Sequence, residues 1–181
     1  QSALKALQSY GNVLIPSAFG ELASGLVGMG RMAEPDEIVN TVENHILAGL
    51  PLYGKKILIT AGPTYEAIDP VRFIGNYASG KMGFELANSA ANKGAEVILV
   101  SGPTHCKIDS NRVSTHAVFT AKEMYKVVHQ HFSSVDAAIL SAAVADYRPK
   151  KTALSKIKKT SESLLLDCLL YTSDAADDAH G

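Results

Sequence analysis

Apolar residues recur along this chain in two rhythms. From Pro35 the stripe Ile38, Val42, Ile46 and Leu47 has helical spacing. Pro35 suits a first helical position, Asp36 and Glu37 complement the positive helix end, and Gly49 stops the run. Lys56-Ile57-Leu58-Ile59-Thr60 then reads as a short buried strand. Met82 to Lys93 predicts a helix ending at Gly94, and Glu96 to Ser101 a second apolar strand. Val113 to Phe119 is β-branched and alternating, a third strand. Thr120 and Glu123 have the spacing of a capping box, opening a helix to about Phe132 with Met124, Val127, Val128 and His131 on one face. Ala137 to Ala142 is the next strand. Continuous apolar strands between amphipathic helices predict an α/β fold, a Rossmann-like, mostly parallel sheet with helices on both faces.

Between these elements the pattern lapses in three places. The glycine-rich run from Gly20 to Gly30 is expected to be a loop, and Ala61 to Gly80 a long irregular segment. After Thr160, Leu164-Leu165-Leu166 could open a strand, but Ser173 to Gly181 is acidic, small and aperiodic. The run Leu169 to Asp178 resembles translated sequencing-adapter read-through. The expected organisation is therefore residues 1–52, a ligand-binding domain over residues 53–168, and a non-native or disordered tail over residues 169–181.

Composition narrows the class. A hydrophobic share of 46% and a charged share of 19% predict a globular chain. The balance of 17 basic and 18 acidic residues argues against nucleic-acid or membrane-surface partners. Cys106 and Cys168 provide neither a disulfide framework nor a cysteine-rich metal site, which fits a reducing, cytoplasmic setting. The six histidines have no metal-ligand spacing, so no protein-held metal is expected. The chain opens at Gln1 without an initiator Met or signal-peptide pattern and is expected to be a fragment.

Ligands of open parallel sheets bind beyond the carboxyl ends of the strands. Three loops leave such ends: Ala61–Gly80, Ser101–Arg112 and the stretch after Ala142. The first begins Thr60-Ala61-Gly62-Pro63-Thr64 and ends Asn76-Tyr77-Ala78-Ser79-Gly80-Lys81, entering a helix. Small-residue turns let backbone N–H groups approach an anion, and a helix N-terminus favours a phosphate. Its length of about twenty residues favours function over mere connection, although a plain turn is the alternative. Neither a G-x-G-x-x-G fingerprint nor a P-loop is present. The third loop, Ser141 to Pro149, offers small residues against which a base could lie, and Asp146 for ribose hydroxyls. Lys150, Lys151, Lys156, Lys158 and Lys159 follow, either a solvated face or a source of triphosphate contacts.

The run Ile59 to Gly83 (I-T-A-G-P-T-Y-E-A-I-D-P-V-R-F-I-G-N-Y-A-S-G-K-M-G) resembles the signature of the phosphopantothenate–cysteine ligase family. So do A-A-V-A-D-Y-R-P (Ala142–Pro149) and the following K-I-K-K (Lys156–Lys159). The likeness covers Lys55 to Lys159. G-E-L-A-S-G-L-V-G-M-G-R-M-A-E-P (Gly20–Pro35) resembles the substrate-covering flap of the flavin-dependent phosphopantothenoylcysteine decarboxylase to which bacterial ligases are fused. Residues 1–52 are thus expected to be the C-terminal remnant of that flavodoxin-like domain.

The resemblance implies a CTP-dependent ligase of coenzyme A biosynthesis. The substrates would be 4′-phosphopantothenate, L-cysteine and CTP with Mg²⁺, and the intermediate an acyl-cytidylate. It assigns Asn76 to the phosphopantothenate carboxyl and acyl-cytidylate, with an αL turn residue as the structural alternative. Gly62, Thr64, Ser79 and Gly80 would line the phosphates. Leu140, Ser141 and Ala142 would face the nucleotide, and Asp146 its ribose. Lys156 would neutralise phosphate charge, with Lys158 and Lys159 as weaker candidates and Arg72 and Lys81 as further contacts. Ser24 stands where the decarboxylase family commonly carries a proton-donating Cys, and FMN would belong to that partner domain. A homo-oligomer is implied at full length. The alternatives are an NAD(P)-binding Rossmann-like oxidoreductase and a non-catalytic nucleotide-binding module.

Overall fold

The computed structural model describes residues 2–159 and 163–171. The chain divides into two compact units, Gln1–Leu50 and Pro51–Gly181. In the first, helix α1 (Ser2–Ser9) precedes strands β1 (Ala18–Glu21) and β2 (Val27–Arg31) and helix α2 (Pro35–Ala48). The glycine-rich run expected to be a loop is an antiparallel hairpin, with Phe19 opposite Met29 and Glu21 opposite Val27. Pairing needs only backbone groups, and Gly25 at φ +76° makes the turn that brings Leu22 N–H to Leu26 O at 2.8 Å. Helix α2 starts at Pro35 and ends at Gly49 as expected. Its apolar stripe is only partly covered: Ile38 and Leu47 are half-buried, and Val42 and Ile46 are exposed.

The second unit is built on strands β3 (Lys56–Ala61), β6 (Glu96–Ser101), β7 (Val113–Ala117) and β8 (Ala137–Leu140), with helices α3 (Lys81–Asn92) and α4 (Ala121–Phe132). The strands form one parallel sheet in the order β7-β6-β3-β8. Alternation along β6 shows how it is covered. Val97 and Leu99 pack with Ile57, Ile59, Phe84, Ala87 and Ala91, which places α3 on one face. Ile98 and Val100 pack with Met124, Val127 and Val128, which places α4 on the other. The protein therefore has the expected α/β Rossmann-like architecture, a mostly parallel sheet with helices on both faces. Leu58, Ile59, Leu99 and Val100 at its centre are fully buried. Strand β8 is an edge whose residues are all exposed.

The segment 61–80 is more ordered than its composition predicts. It holds an antiparallel hairpin of β4 (Tyr65–Ala67) and β5 (Phe73–Gly75). The Tyr65 ring stacks on Phe73 at 4.0 Å and covers Gly75, where an added Cβ would lie 2.5 Å from Tyr65 Cδ1. The strand expected to reach Ala142 stops at Leu140. Leu164–Leu166 form no strand. Instead β9 (Tyr147–Pro149) pairs with β10 (Cys168–Leu170). Leu169 and Leu170 are thus in a strand, so the expected break after Cys168 is not a structural boundary. The rest of the expected tail, residues 172–181, lies outside the described residues. Among the described residues no helix is long and apolar enough to cross a membrane.

Candidate functional site

The carboxyl ends of β3, β6 and β8 lie side by side, with Ala61 paired to Ser101 and Thr60 to Leu140. The turns that leave them are bonded to one another. Gly102 N–H donates to Ala61 O at 2.9 Å, and Ala143 N–H to Gly62 O at 2.9 Å. Thr60, buried at the end of β3, holds the third loop through its oxygens. Its carbonyl accepts from Ser141 Oγ at 2.6 Å and its Oγ1 from Ala142 N–H at 3.2 Å.

Glycine makes this convergence sterically possible. Gly62 adopts φ +74°, and a Cβ there would meet Gly102 O at 3.2 Å. Gly80, at φ +78°, is the N-cap of α3; a Cβ there would lie 3.2 Å from Gly62 Cα and from Thr104 Oγ1. At Gly83, one turn into α3, a Cβ would fall 2.5 Å from Ala61 Cβ and 2.9 Å from Ser141 Oγ. The first turn of α3 therefore sits directly on the end of β3, and its cap contributes no side-chain hydrogen bond. N–H groups of such a turn are a natural seat for an anion.

Asn76 is exposed at the return of the β4–β5 hairpin, and its Nδ2 donates to Val144 O at 2.9 Å. Its amide thus spans the first and third loops. The αL alternative for Asn76 does not hold: among the described residues only glycines have positive φ. Ser79 is exposed beside it, its Oγ accepting from Lys81 N–H at 3.3 Å and its carbonyl from Thr104 Oγ1 at 2.6 Å. Leu140, 55% exposed, ends β8, with half-buried Ser141 and Ala142 following. Asp146 is exposed just after Ala145.

Two expectations need correction. Thr64 cannot line a phosphate: it is fully buried, and its Oγ1 accepts from Ala145 N–H at 2.8 Å. Its hydroxyl shapes the third loop instead. Arg72 is also committed. Its Nε and Nη2 donate to Asp69 Oδ2 at 3.0 and 2.6 Å, and Nη2 reaches Ile157 O at 2.8 Å. Asp69 is buried, which pushes its carboxyl up. Donation from the N–H groups of Ile157, Val71 and Arg72, together with the guanidinium, outweighs that and holds it well below the usual carboxylate range.

Lys156, Lys158 and Lys159 are exposed, and the half-buried Ile157 between them is bonded to Asp69 and Arg72. Ser24 lies at the exposed tip of the β1–β2 hairpin, in the other unit. Gly102 and Thr104 were not singled out by sequence. The signal was available: Gly-Pro-Thr follows β3 at Gly62 and recurs after β6 at Gly102. Two surface hollows lie elsewhere, along α4 and at the opposite end of the sheet near Arg112 and His131. No group of three or more His, Cys, Asp or Glu that could hold a metal occurs among the described residues. Ala33 is the one buried residue of the first unit among those described.

A family model for the DNA/pantothenate metabolism flavoprotein C-terminal domain matches residues 52–177. A curated protein named cysteine/cysteine sulfinic acid decarboxylase, from an unknown prokaryotic organism, is 47% identical over 180 residues, covering 97% of this chain and 50% of that protein. The coenzyme A biosynthesis bifunctional protein CoaBC of Vibrio parahaemolyticus serotype O3:K6 (strain RIMD 2210633) is 51% identical over 152 residues, covering 84% and 37% respectively. The solved C-terminal domain of a coenzyme A biosynthesis bifunctional protein CoaBC superposes with a TM-score of 0.53 at 53% identity, covering 61% of this chain and 56% of that one. The chain spans half or less of the length of these curated relatives.

Proposed function

The chain belongs to the family of the DNA/pantothenate metabolism flavoprotein C-terminal domain, and on that premise we propose that residues 55–159 form the nucleotide-binding part of a CTP-dependent phosphopantothenate–cysteine ligase. The observation that carries this reading is the junction of three loops at the carboxyl ends of β3, β6 and β8, with the Asn76 amide bridging two of them through Val144 O. The relatives named for coenzyme A biosynthesis support the substrate class.

The proposed reaction has two steps. The carboxylate of 4′-phosphopantothenate attacks the α-phosphorus of CTP, and pyrophosphate departs with the electron pair of the broken P–O bond. The amine of L-cysteine then attacks the acyl carbon, expelling CMP and releasing a proton as the amide forms. Both steps develop negative charge on phosphate oxygens and require in-line approach, so the protein's work is positioning and charge stabilisation. The N–H groups of the first turn of α3 and the turn at Gly62 would seat the phosphates. Lys156 would neutralise charge on the leaving pyrophosphate. An amide has two N–H donors; one of Asn76's is spent on Val144 O, leaving the other for the acyl oxygen. Ser141 and Ala142 would lie against the base, and Asp146 would accept from ribose. Mg²⁺ would arrive with the nucleotide and supply positive charge to its phosphates.

Residues 1–52 we assign to the end of the fused decarboxylase, with Ser24 at its flap. Their exposed surfaces do not fit FMN by themselves. Calorimetric titration with MgCTP, MgATP and NADH tests the nucleotide class: CTP should bind and NADH should not, and a preference for NADH would overturn the ligase reading. In the intact enzyme carrying this segment, Asn76→Asp should slow amide formation at least ~100-fold, the scale of losing one transition-state donor. Wild-type turnover would remove Asn76 from its role.

A further inference from the structure

The lysine-bearing segment after β9 is stitched along its length to the β4–β5 hairpin. Thr152 Oγ1 donates to Ala67 O at 3.1 Å, and Ala153 N–H to Ile68 O at 2.9 Å. Further on, both backbone groups of one residue are held: Ile157 N–H donates to Asp69 Oδ2 at 3.1 Å, and Ile157 O accepts from Arg72 Nη2 at 2.8 Å. The holder is stiff. The Asp69 side chain is fully buried, its Oδ1 accepts from Val71 and Arg72 N–H, and its Oδ2 pairs with the Arg72 guanidinium.

This arrangement solves a specific difficulty. Lys156, Lys158 and Lys159 carry like charges on a stretch with no helix or strand to order it. Repulsion and chain entropy both favour spreading it into solvent. Ile157 turns inward and is half-buried, while the lysines on either side remain exposed. Asp69 and Arg72 neutralise one another, so the grip is made without cancelling the lysine charge. None of these three lysines has an ion-pair partner among the described residues, whereas Lys150 is paired with Asp167 at 3.2 Å.

We infer that Asp69 and Arg72 are positioning residues, a clamp on the Ile157 peptide that presents the Lys156–Lys159 charge to the polyphosphate of a nucleoside triphosphate. This deepens the proposed function and rests on its placement of a nucleotide in unit two. Arg72 acts through the main chain of the segment and does not itself touch phosphate.

The test uses the 181-residue chain. Asp69→Asn could disturb folding because Asp69 is buried, so Arg72→Lys is the decisive variant. It keeps a cation beside Asp69 and all three backbone donors, but loses the fork that also reaches Ile157 O. Amide hydrogen exchange over residues 156–158 should accelerate about tenfold or more, as expected for a lost charge-assisted bond, while the amides of β3 and β6 stay protected. Affinity for MgCTP should fall about tenfold by the same loss, and that for CMP, which lacks the outer phosphates, should change little. In a background with Lys156, Lys158 and Lys159 all replaced by Ala, Arg72→Lys should cost no further MgCTP affinity, since the clamp then has no charge to present. Unchanged exchange with intact MgCTP binding overturns the clamp alone. Faster exchange with a loss fully additive to that of the triple lysine-to-alanine change shows a clamp that does not serve the lysines, and overturns the inference. A wild-type chain that binds no nucleoside triphosphate instead overturns the nucleotide reading, while its exchange pattern still reports whether Ile157 is held.

Discussion

A methyl group added at Gly102 would collide with the carbonyl oxygen of Pro63, itself almost fully buried. Gly102→Ala must therefore push the turn after β6 away from the turn after β3. The expected loss is roughly 2–4 kcal/mol, the range of strained or overpacked buried substitutions. It would be measured as a lower midpoint in urea denaturation, and an unchanged midpoint would show that the turns part without cost. Single residues were unevenly legible. Asn76, Ser79 and Gly80, picked out by a distinctive run at a helix entrance, do lie among the loops that leave β3, β6 and β8. Thr64 and Arg72 belong to that run as well, yet one is buried on Ala145 and the other engaged by Asp69 and Ile157. Residue type says which bonds a side chain can make; only its neighbours decide which bonds it does make.

Local elements were read most closely where their signals are local. The capping box at the start of α4 is present in full. Thr120 Oγ1 accepts from Glu123 N–H, and Glu123 Oε2 accepts from the N–H groups of Thr120 and Phe119. Thr120→Ala removes the first of these bonds and should cost about 1 kcal/mol, read from the same denaturation curve, with α4 still formed by circular dichroism. A cost near zero would mean that Glu66, whose Oε1 accepts from Ala121 N–H at 2.8 Å, suffices to anchor that helix end. Hairpins were harder. The pairs β1–β2 and β4–β5 hide in stretches rich in glycine or proline, because a backbone ladder needs no apolar alternation: the buried position of β4 is Glu66, a charged residue. Strand β10 was displaced from its expected place at Leu164–Leu166 for a related reason: its partner, β9, is about twenty residues away in sequence.

For the whole molecule, two aspartates tie distant parts of the second unit together. Asp69 holds the hairpin to the lysine segment. Asp136 joins the start of β8 to the start of β3, accepting from Lys56 N–H at 2.8 Å and Lys55 Nζ at 2.9 Å. Those hydrogen bonds lower the Asp136 pKa, first through Lys56 N–H and then through Lys55. Both carboxyls are depressed in the folded state, so their contribution is complete above the ordinary aspartate value of 3.8 and is lost as the pH falls through the folded values. In that window the unfolded chain takes up protons that the folded chain does not. The urea midpoint should hold steady from neutrality to about pH 5 and decline below the unfolded carboxylate range, less steeply in Asp136→Asn. A decline already under way between pH 7 and 5 would point to another group. By itself the sequence determined the parallel α/β architecture, the capping box of α4 and the position of the loops that leave the carboxyl ends of the strands, because apolar periodicity and capping act over a few residues. Tertiary structure alone decided that Gly62, Gly80 and Gly102 interlock, that Thr64 faces inward, and that the lysine segment is held by Asp69 and Arg72. Those outcomes depend on contacts between segments as many as 88 residues apart, where spacing along the chain carries no information about who meets whom.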